Sequence, residues 1–211
     1  MEEHNLAVTR TDTTESVTIG VLALQGDFEA HLRMLERCGV NGKEVRTAQQ
    51  LQEVDGLIIP GGESTTIMKL MQRYGIDAVL QQRARAGMPV YGTCAGLIVM
   101  AHEIEGYPQQ PRLGLLDVAV ARNAFGRQVD SFEIDLPVPK LGDPPIRAVF
   151  IRAPYVTRTG EGVEVLASLD SKIVLVQQNN LLGGAFHPEL TDDLRLHCYF
   201  VEMVRAYRRQ Q

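Results

Sequence analysis

Apolar residues form short continuous runs at three places in the first half of the chain. These runs occupy residues 17–24, 56–59 and 89–91. Each is followed by glycine, proline or a polar residue, and an unbroken apolar run of this length is typical of a strand buried on both faces. The runs therefore predict strands of a parallel sheet.

Helical spacing separates these runs. After the first run, apolar residues recur every three or four positions and would share one face of a helix, namely Phe28, Leu32, Leu35 and Cys38. Gly39 stands where a left-handed residue is expected to end that helix. A second helix is predicted from Ser64 to about residue 73, with Ser64 as its N-cap. The alternation of strand and helix predicts βαβ units.

The second half of the chain has shorter runs in which apolar and polar residues often alternate, which suits antiparallel strands. These runs lie at 116–121, 131–136, 147–151, 163–168, 173–177 and 181–186. An amphipathic helix is predicted over about 192–208. We therefore expect an α/β fold with a mostly parallel central sheet in a single domain over residues 17–211. Residues 1–16 are polar and lack periodicity, which predicts a flexible tail.

Composition and charge narrow the class of protein. The chain has 211 residues, of which 45% are apolar and 22% charged, and its net charge is −5. An acidic chain without clusters of Lys and Arg is a poor binder of nucleic acid backbones. No apolar stretch approaches the roughly 20 residues that span a bilayer, and the polar start does not resemble a secretory signal. We expect a cytoplasmic protein.

The three cysteines do not form a recognisable framework. An odd and sparse set, Cys38, Cys94 and Cys198, argues against disulfide bonds. Cys38 is predicted to be a small core residue. Because there is no Cys-x-x-Cys pair and no closely spaced pair of histidines, a metal site is not expected either.

Cys94 lies in the sequence Gly-Thr-Cys-Ala-Gly at 92–96, between a predicted strand and an apolar helix. Glycines on both sides allow the sharp turn that lifts a nucleophile off the end of a sheet. The helix that follows offers free N–H groups, which stabilise a thiolate and an oxyanion. We interpret Cys94 as a nucleophile; the alternative is a buried cysteine in a tight turn.

His187 and Glu189 are the best candidates for its base. They follow the predicted strand 181–186, and in an extended segment residues two apart project to the same side. Glu189 would then fix the tautomer of the imidazole. On its own, a His-x-Glu pair is weak evidence for catalysis, because such pairs are common on protein surfaces. His31 and His197 fall in predicted helices, where packing or surface roles are expected.

A third element is the 60–64 loop, with the sequence Pro-Gly-Gly-Glu-Ser, which again lies between a strand and a helix. Adjacent glycines let backbone N–H groups approach a ligand closely, as a second oxyanion donor requires. The Gly-Lys-Ser/Thr ending of a phosphate-binding loop is missing. The alternative interpretation is a plain turn.

Together these residues resemble the class I, triad-type glutamine amidotransferases, and within them the glutaminase subunits of pyridoxal 5′-phosphate synthases. The cysteine elbow is common to the class, whereas the segments 122–132 and 150–154 are typical of the subgroup. The resemblance covers nearly all of the chain after residue 16, through segments 20–26, 61–66, 92–98, 122–132, 150–154 and 186–191. It implies a three-layer fold with antiparallel strands in the second half.

The resemblance also implies roles for individual residues. The catalytic triad would be Cys94, His187 and Glu189, and the oxyanion hole would be formed by the N–H groups of Gly62 and Ala95. Gln25 would lie near the partner interface and organise the oxyanion loop. Glutamine would be bound by a larger set, namely Gly62, Glu63, Ser64, Arg122, Ile151 and Arg152.

The activity implied is hydrolysis of L-glutamine to L-glutamate through a cysteine thioester. The ammonia would pass to a synthase partner that builds pyridoxal 5′-phosphate, and the chain itself would need no cofactor or metal. Three alternatives are a glutaminase of another pathway (histidine, purine or aminobenzoate synthesis), a catalytically silent regulatory subunit on the same fold, and a cysteine peptidase.

Overall fold

The computed structural model describes residues 16–122 and 131–211. Two features predicted from the sequence fall largely outside these ranges. They are the tail, of which only Ser16 is described, and the middle of the segment 122–132.

The described residues form six α-helices, two short 3-10 helices (Pro139–Leu141 and Pro188–Leu190) and twelve strands. The helices are α1 (Phe28–Arg37), α2 (Ala48–Gln52), α3 (Ser64–Arg73), α4 (Ile76–Arg85), α5 (Ala95–Met100) and α6 (Arg195–Arg208). The strands are β1 (Thr18–Leu22), β2 (Asn41–Val45), β3 (Gly56–Ile59), β4 (Val90–Thr93), β5 (Ala101–Ile104), β6 (Leu116–Ala121), β7 (Ser131–Leu136), β8 (Ile146–Ile151), β9 (Tyr155–Thr159), β10 (Glu164–Leu169), β11 (Lys172–Gln178) and β12 (Leu181–Gly184). Within these ranges no helix is long and apolar enough to cross a bilayer.

Ten of the strands form one central sheet in the order β2-β1-β3-β4-β12-β11-β9-β6-β5, with β10 paired to β11. The half that contains β1 to β4 is parallel, and β12 joins it in parallel beside β4. Strands β9, β10 and β11 add antiparallel pairs, and β7 and β8 form a separate hairpin. The predicted mixed α/β sheet is confirmed, although β5 and β9 were not anticipated.

Helix α1 buries a face that only partly matches the predicted one. Its buried residues are Ala30, His31, Met34 and Leu35. The predicted residues Phe28, Leu32 and Cys38 only flank this face and are partly exposed. Of the predicted residues, Leu35 is fully buried, and apolar spacing could not show that the inward side also includes His31.

A disulfide joins Cys38, at the end of α1, to Cys198 in α6. The prediction that the cysteines stay unpaired was therefore wrong for these two. The helices α1 and α6 pack against each other, which brings the two Cα atoms to 5.6 Å. The partners are 160 residues apart in the chain, so local spacing contains no sign of the bond.

Candidate active site

Three adjacent parallel strands end at the same edge of the sheet and carry the three predicted elements of the site. The register pairs Ile59 of β3 with Gly92 of β4, and Gly184 of β12 with Thr93 of β4. The 60–64 loop follows β3, Cys94 follows β4, and the segment with His187 follows β12. The carboxyl ends of parallel strands are where open α/β sheets bind ligands.

Cys94 occupies a strained turn. Its φ of 50° and ψ of −104° are unusual for a residue with a side chain. A Cβ on Gly96 would lie 2.1 Å from the carbonyl oxygen of Ile59, so this position of the turn has room only for glycine. Ala95 is the first residue of α5, and its N–H therefore has no acceptor within the helix. The sharp turn expected of a nucleophile elbow is present.

His187 and Glu189 are joined as predicted, but not by an extended backbone. Nδ1 of His187 lies 2.8 Å from Oε1 of Glu189. Residues Pro188–Leu190 form a single 3-10 turn, which corrects the expectation of an extended segment from His187 to Glu189. Proline is tolerated at the first position of such a turn because its missing N–H would have no partner there.

His187 and Cys94 line the same cleft, and Gly61 lies against both side chains. Burial acts to lower the pKa of His187, but its interactions with the side chains of Cys94 and Glu189 outweigh burial and raise the pKa to about 10. The imidazole is therefore protonated at neutral pH and lies between the sulfur and a carboxylate. Burial also acts to raise the pKa of Glu189, yet the neighbouring His31 and His187 hold it below its usual value.

Replacing Cys94 with alanine is expected to lower the pKa of His187 from about 10, because burial remains while the strongest raising influence is lost. The ¹⁵N chemical shifts of the His187 ring, followed through a pH titration, measure this directly. The wild-type ring should keep both protons at neutral pH, and the variant should lose one at a lower pH. An unchanged titration midpoint would show that the sulfur does not control the imidazole.

The 60–64 loop packs against both Gln25 and the imidazole. The N–H of Glu63 donates a hydrogen bond of 2.8 Å to Oε1 of Gln25. A Cβ on Gly62 would lie 2.3 Å from that same oxygen, and a Cβ on Gly61 would lie 2.5 Å from Cε1 of His187. The glycines are therefore required for the close approach of this loop to its neighbours.

The N-cap of α3 is Glu63, not Ser64 as predicted. Its carboxylate accepts hydrogen bonds from the backbone N–H groups of Thr65 and Thr66. Burial acts to raise the pKa of Glu63, but the bonds from Thr66 and Thr65 lower it below its usual value. A carboxylate competes well with a hydroxyl for the free N–H groups of a helix start.

Gln110, which the sequence did not single out, joins two of the predicted binding residues. Its side-chain nitrogen donates to the hydroxyl of Ser64 at 2.9 Å, and its oxygen accepts from Arg122 at 2.5 Å. Arg122 also lies 3.7 Å from Glu63. Gln110 lies in an irregular stretch between β5 and β6, where no local pattern indicated a role.

A cleft of about 350 Å³ opens over the sulfur of Cys94. Volumes of this size suit small metabolites. The carbonyl oxygen of Ile151 lies 4.0 Å from the sulfur, and Arg152 beside it has a positive φ of 43°. All predicted site residues except Glu189 line the cleft, together with Ile98; they are Gln25, Gly62, Glu63, Ser64, Cys94, Ala95, Arg122, Ile151, Arg152 and His187.

In the two described stretches of the chain, no three His, Cys, Asp or Glu side chains are arranged to hold a metal ion. The polar side chains around the cleft are two arginines, a glutamate, a glutamine, a serine, a histidine and a cysteine. This set suits an amino acid with charged ends.

The fold is that of the class I glutamine amidotransferases. A crystal structure of a glutamine amidotransferase superposes with a TM-score of 0.85 at 56% identity, covering 88% of this chain and 98% of that one. The PurLQS structure from Thermotoga maritima superposes with a TM-score of 0.65 at 16% identity, covering 92% of this chain and 99% of that one, and shares the fold alone.

The chain belongs to the SNO glutamine amidotransferase family, whose model matches residues 21–206. A pyridoxal 5′-phosphate synthase subunit PdxT from Carboxydothermus hydrogenoformans is 56% identical over 186 residues, which is 88% of this chain and 97% of the relative. The protein of the same name from Thermus thermophilus is 57% identical over 186 residues, which is 88% of this chain and 96% of the relative.

Proposed function

We propose that this chain is the glutaminase subunit of a pyridoxal 5′-phosphate synthase and that Cys94, His187 and Glu189 form its catalytic triad. The observation that carries the proposal is that Cys94 and His187 line one cleft of metabolite size and that His187 is hydrogen-bonded to the buried Glu189. The names of the relatives support the pathway.

The charged groups of the cleft suit the two ends of glutamine. The carboxylate of Glu63 is ionised and open to the cleft, and would accept hydrogen bonds from the α-ammonium group. Arg122 and Arg152 offer planar guanidinium groups, which bind a carboxylate through two parallel hydrogen bonds. The substrate is thereby held with its side-chain amide toward the sulfur.

The reaction begins when the thiolate of Cys94 attacks the amide carbon of glutamine. The N–H groups of Gly62 and Ala95 stabilise the resulting oxyanion. His187 donates its proton to the departing nitrogen, so that ammonia leaves and a thioester remains. Water, activated by the now neutral His187, then hydrolyses the thioester to release glutamate and restore the thiolate. Glu189 orients the imidazole throughout.

Gln25 is not an oxyanion donor itself but positions the loop that contains one. Its side-chain oxygen accepts from Glu63, next to Gly62, and so fixes the 60–64 loop. Because one lost oxyanion donor costs about 10²–10³ in rate, a small shift of this loop is enough to silence the enzyme. Docking of the synthase partner near Gln25 would set the loop and start glutamine hydrolysis only when the ammonia has an acceptor.

The test is glutamate release from glutamine by the purified chain, alone and with a pyridoxal 5′-phosphate synthase partner. We expect clear stimulation by that partner and incorporation of the glutamine side-chain nitrogen into pyridoxal 5′-phosphate. Stimulation only by a synthase of the histidine, purine or aminobenzoate pathway would instead assign the chain to that pathway. No turnover with any partner would favour the silent regulatory role.

A further inference from the structure

Two histidines that take no part in the proposed mechanism are fully buried beneath the triad. They are His31 in α1 and His197 in α6, each with an exposed fraction of 0%. Nδ1 of His31 lies 2.9 Å from Nε2 of His197. Burying two imidazoles is unfavourable unless their ring nitrogens are hydrogen-bonded. The packing role expected of these residues therefore does not account for their position.

His31 contacts the oxygen of Glu189 that His187 does not use. Oε1 of Glu189 is bonded to His187, whereas Oε2 lies 3.4 Å from Nε2 of His31. Oε2 is buried and has no hydrogen bond of normal geometry from the described residues. The Thr93 hydroxyl, one residue before the nucleophile, lies 3.3 Å from the same nitrogen of His31. The carboxylate is thus held between two imidazoles.

The hydrogen-bonding pattern favours one tautomer of each ring. If Nε2 of His31 carries the proton, it lies 3.3 Å from the Thr93 hydroxyl and 3.4 Å from Oε2 of Glu189, and Nδ1 accepts from the Nε2–H of His197. Nδ1 of His197, which has no partner in the described chain, is then an unprotonated ring nitrogen. If Nδ1 of each ring carried the proton instead, the N–H of His197 would be buried without an acceptor and Oε2 of Glu189 would have no donor nearby among the described residues. That arrangement is less favourable.

Both rings are neutral in this arrangement. Burial lowers the pKa of His31 despite the neighbouring carboxylate of Glu189. Burial, and then the proximity of His31, lowers the pKa of His197 to about 3. His31 therefore meets Glu189 as a neutral hydrogen-bond donor, and the carboxylate keeps its full charge for the protonated His187.

We propose that His31, fixed by His197, is a positioning residue that holds the carboxylate of Glu189 in the orientation that His187 requires. It touches neither the cleft nor the sulfur and acts only through Glu189. The inference rests on the proposed glutaminase function, since it assigns His31 to the same triad. Hydrogen-bonding partners of metal-ligand side chains typically contribute about 10–100-fold in activity, and we expect an effect of the same order for the partner of a catalytic carboxylate.

Asparagine and glutamine at position 31 separate positioning from packing. The amide nitrogen of glutamine occupies nearly the place of Nε2, which faces Glu189, whereas that of asparagine occupies nearly the place of Nδ1, which faces His197. We expect His31→Asn and His31→Leu to lower kcat for glutamine about 10–100-fold with KM unchanged. His31→Gln should stay within about threefold of wild type because the donor is retained.

Leu35→Ala is the matched control for lost packing of α1. Leu35 is fully buried and lies against Gly42 of β2. Its truncation should lower the unfolding midpoint but leave kcat near the wild-type value. The proposal is overturned if His31→Asn and His31→Gln lose the same activity, if the loss appears in KM, or if His31→Leu is folded and fully active. Should His31→Leu fail to fold, the Asn and Gln pair decides.

A second measurement does not depend on glutamine turnover. Ring ¹⁵N chemical shifts of the full chain should show His31 and His197 as neutral Nε2–H tautomers. The downfield ¹H signal of the His187 Nδ1–H should lose intensity in His31→Asn but not in His31→Gln. A cationic His31, or an unaltered His187 proton in both variants, contradicts the proposal. If the wild type shows these signals but no glutaminase activity, only the proposed function fails.

Discussion

Replacing Cys94 with alanine is expected to reduce glutamate release by at least about 10⁴-fold, because the nucleophile that forms the thioester is lost. The sulfur has no substitute nearby: among the described residues that line the cleft, Cys94 is the sole thiol. Assays with the synthase partner present measure kcat, and a reactive glutamine analogue followed by mass spectrometry shows which residue is alkylated. Wild-type protein should carry the label on Cys94.

Cys38→Ala is the matched control, since it also removes a cysteine sulfur but lies outside the cleft. It should break the disulfide, lower the unfolding midpoint and leave most of the activity. Cys94→Ala should still bind the synthase partner, because its backbone turn can be retained. Unchanged turnover in Cys94→Ala, or labelling of another residue in the wild type, would exclude the proposed mechanism.

Gly26→Ala is expected to lower kcat by about 10²–10³-fold, the usual cost of losing one oxyanion donor. A Cβ at this position would lie 1.9 Å from the carbonyl oxygen of Gly61, so the backbone of the 60–64 loop must move. That movement separates the N–H of Gly62 from the place where the oxyanion forms. Binding of the glutamine carboxylate to Arg122 and Arg152, which lie outside the loop, should change less, so the loss should appear mainly in kcat.

Gly87→Ala separates this effect from backbone strain. Gly26 and Gly87 have nearly the same φ, +96° and +99°, so alanine is equally unfavourable at both. At Gly87 the nearest atom would be Cε2 of Tyr207 at 3.5 Å, an ordinary contact. Both variants should lose thermal stability, but only Gly26→Ala should lose activity. Equal loss of kcat in the two would show that the loop contact is irrelevant.

Local sequence patterns were sufficient for much of the sheet. The strands β3 (Gly56–Ile59), β6 (Leu116–Ala121) and β7 (Ser131–Leu136) match their predicted limits. Such segments are bounded by turn residues and have a continuous or alternating apolar pattern, which depends only on neighbours in the chain. The strand β9 was missed because Tyr155–Thr159 is mostly polar, with Val156 as its one buried residue.

Polar groups that take up capping or inward positions were predicted less well. Ser64 was chosen as the N-cap of α3 from its residue type, but Glu63 takes that place because its longer side chain reaches two N–H groups. The inward face of α1 was predicted only in part, since it also includes His31, which is buried beside Glu189. Residue type does not reveal a partner that is distant in sequence.

Short stretches of the chain were enough to identify the residues that end the strands of the site, because a glycine-bounded cysteine, a paired glycine loop and a His-x-Glu segment are each local signals. The contacts that support these residues were visible only in the tertiary structure. They are the hydrogen bond between His31 and His197, which are 166 residues apart, the Cys38–Cys198 disulfide and the hydrogen bonds of Gln110. These contacts arise when α1 and α6 pack side by side and when an irregular segment folds over the cleft. Such juxtapositions depend on how whole elements pack, and no short stretch of chain encodes them.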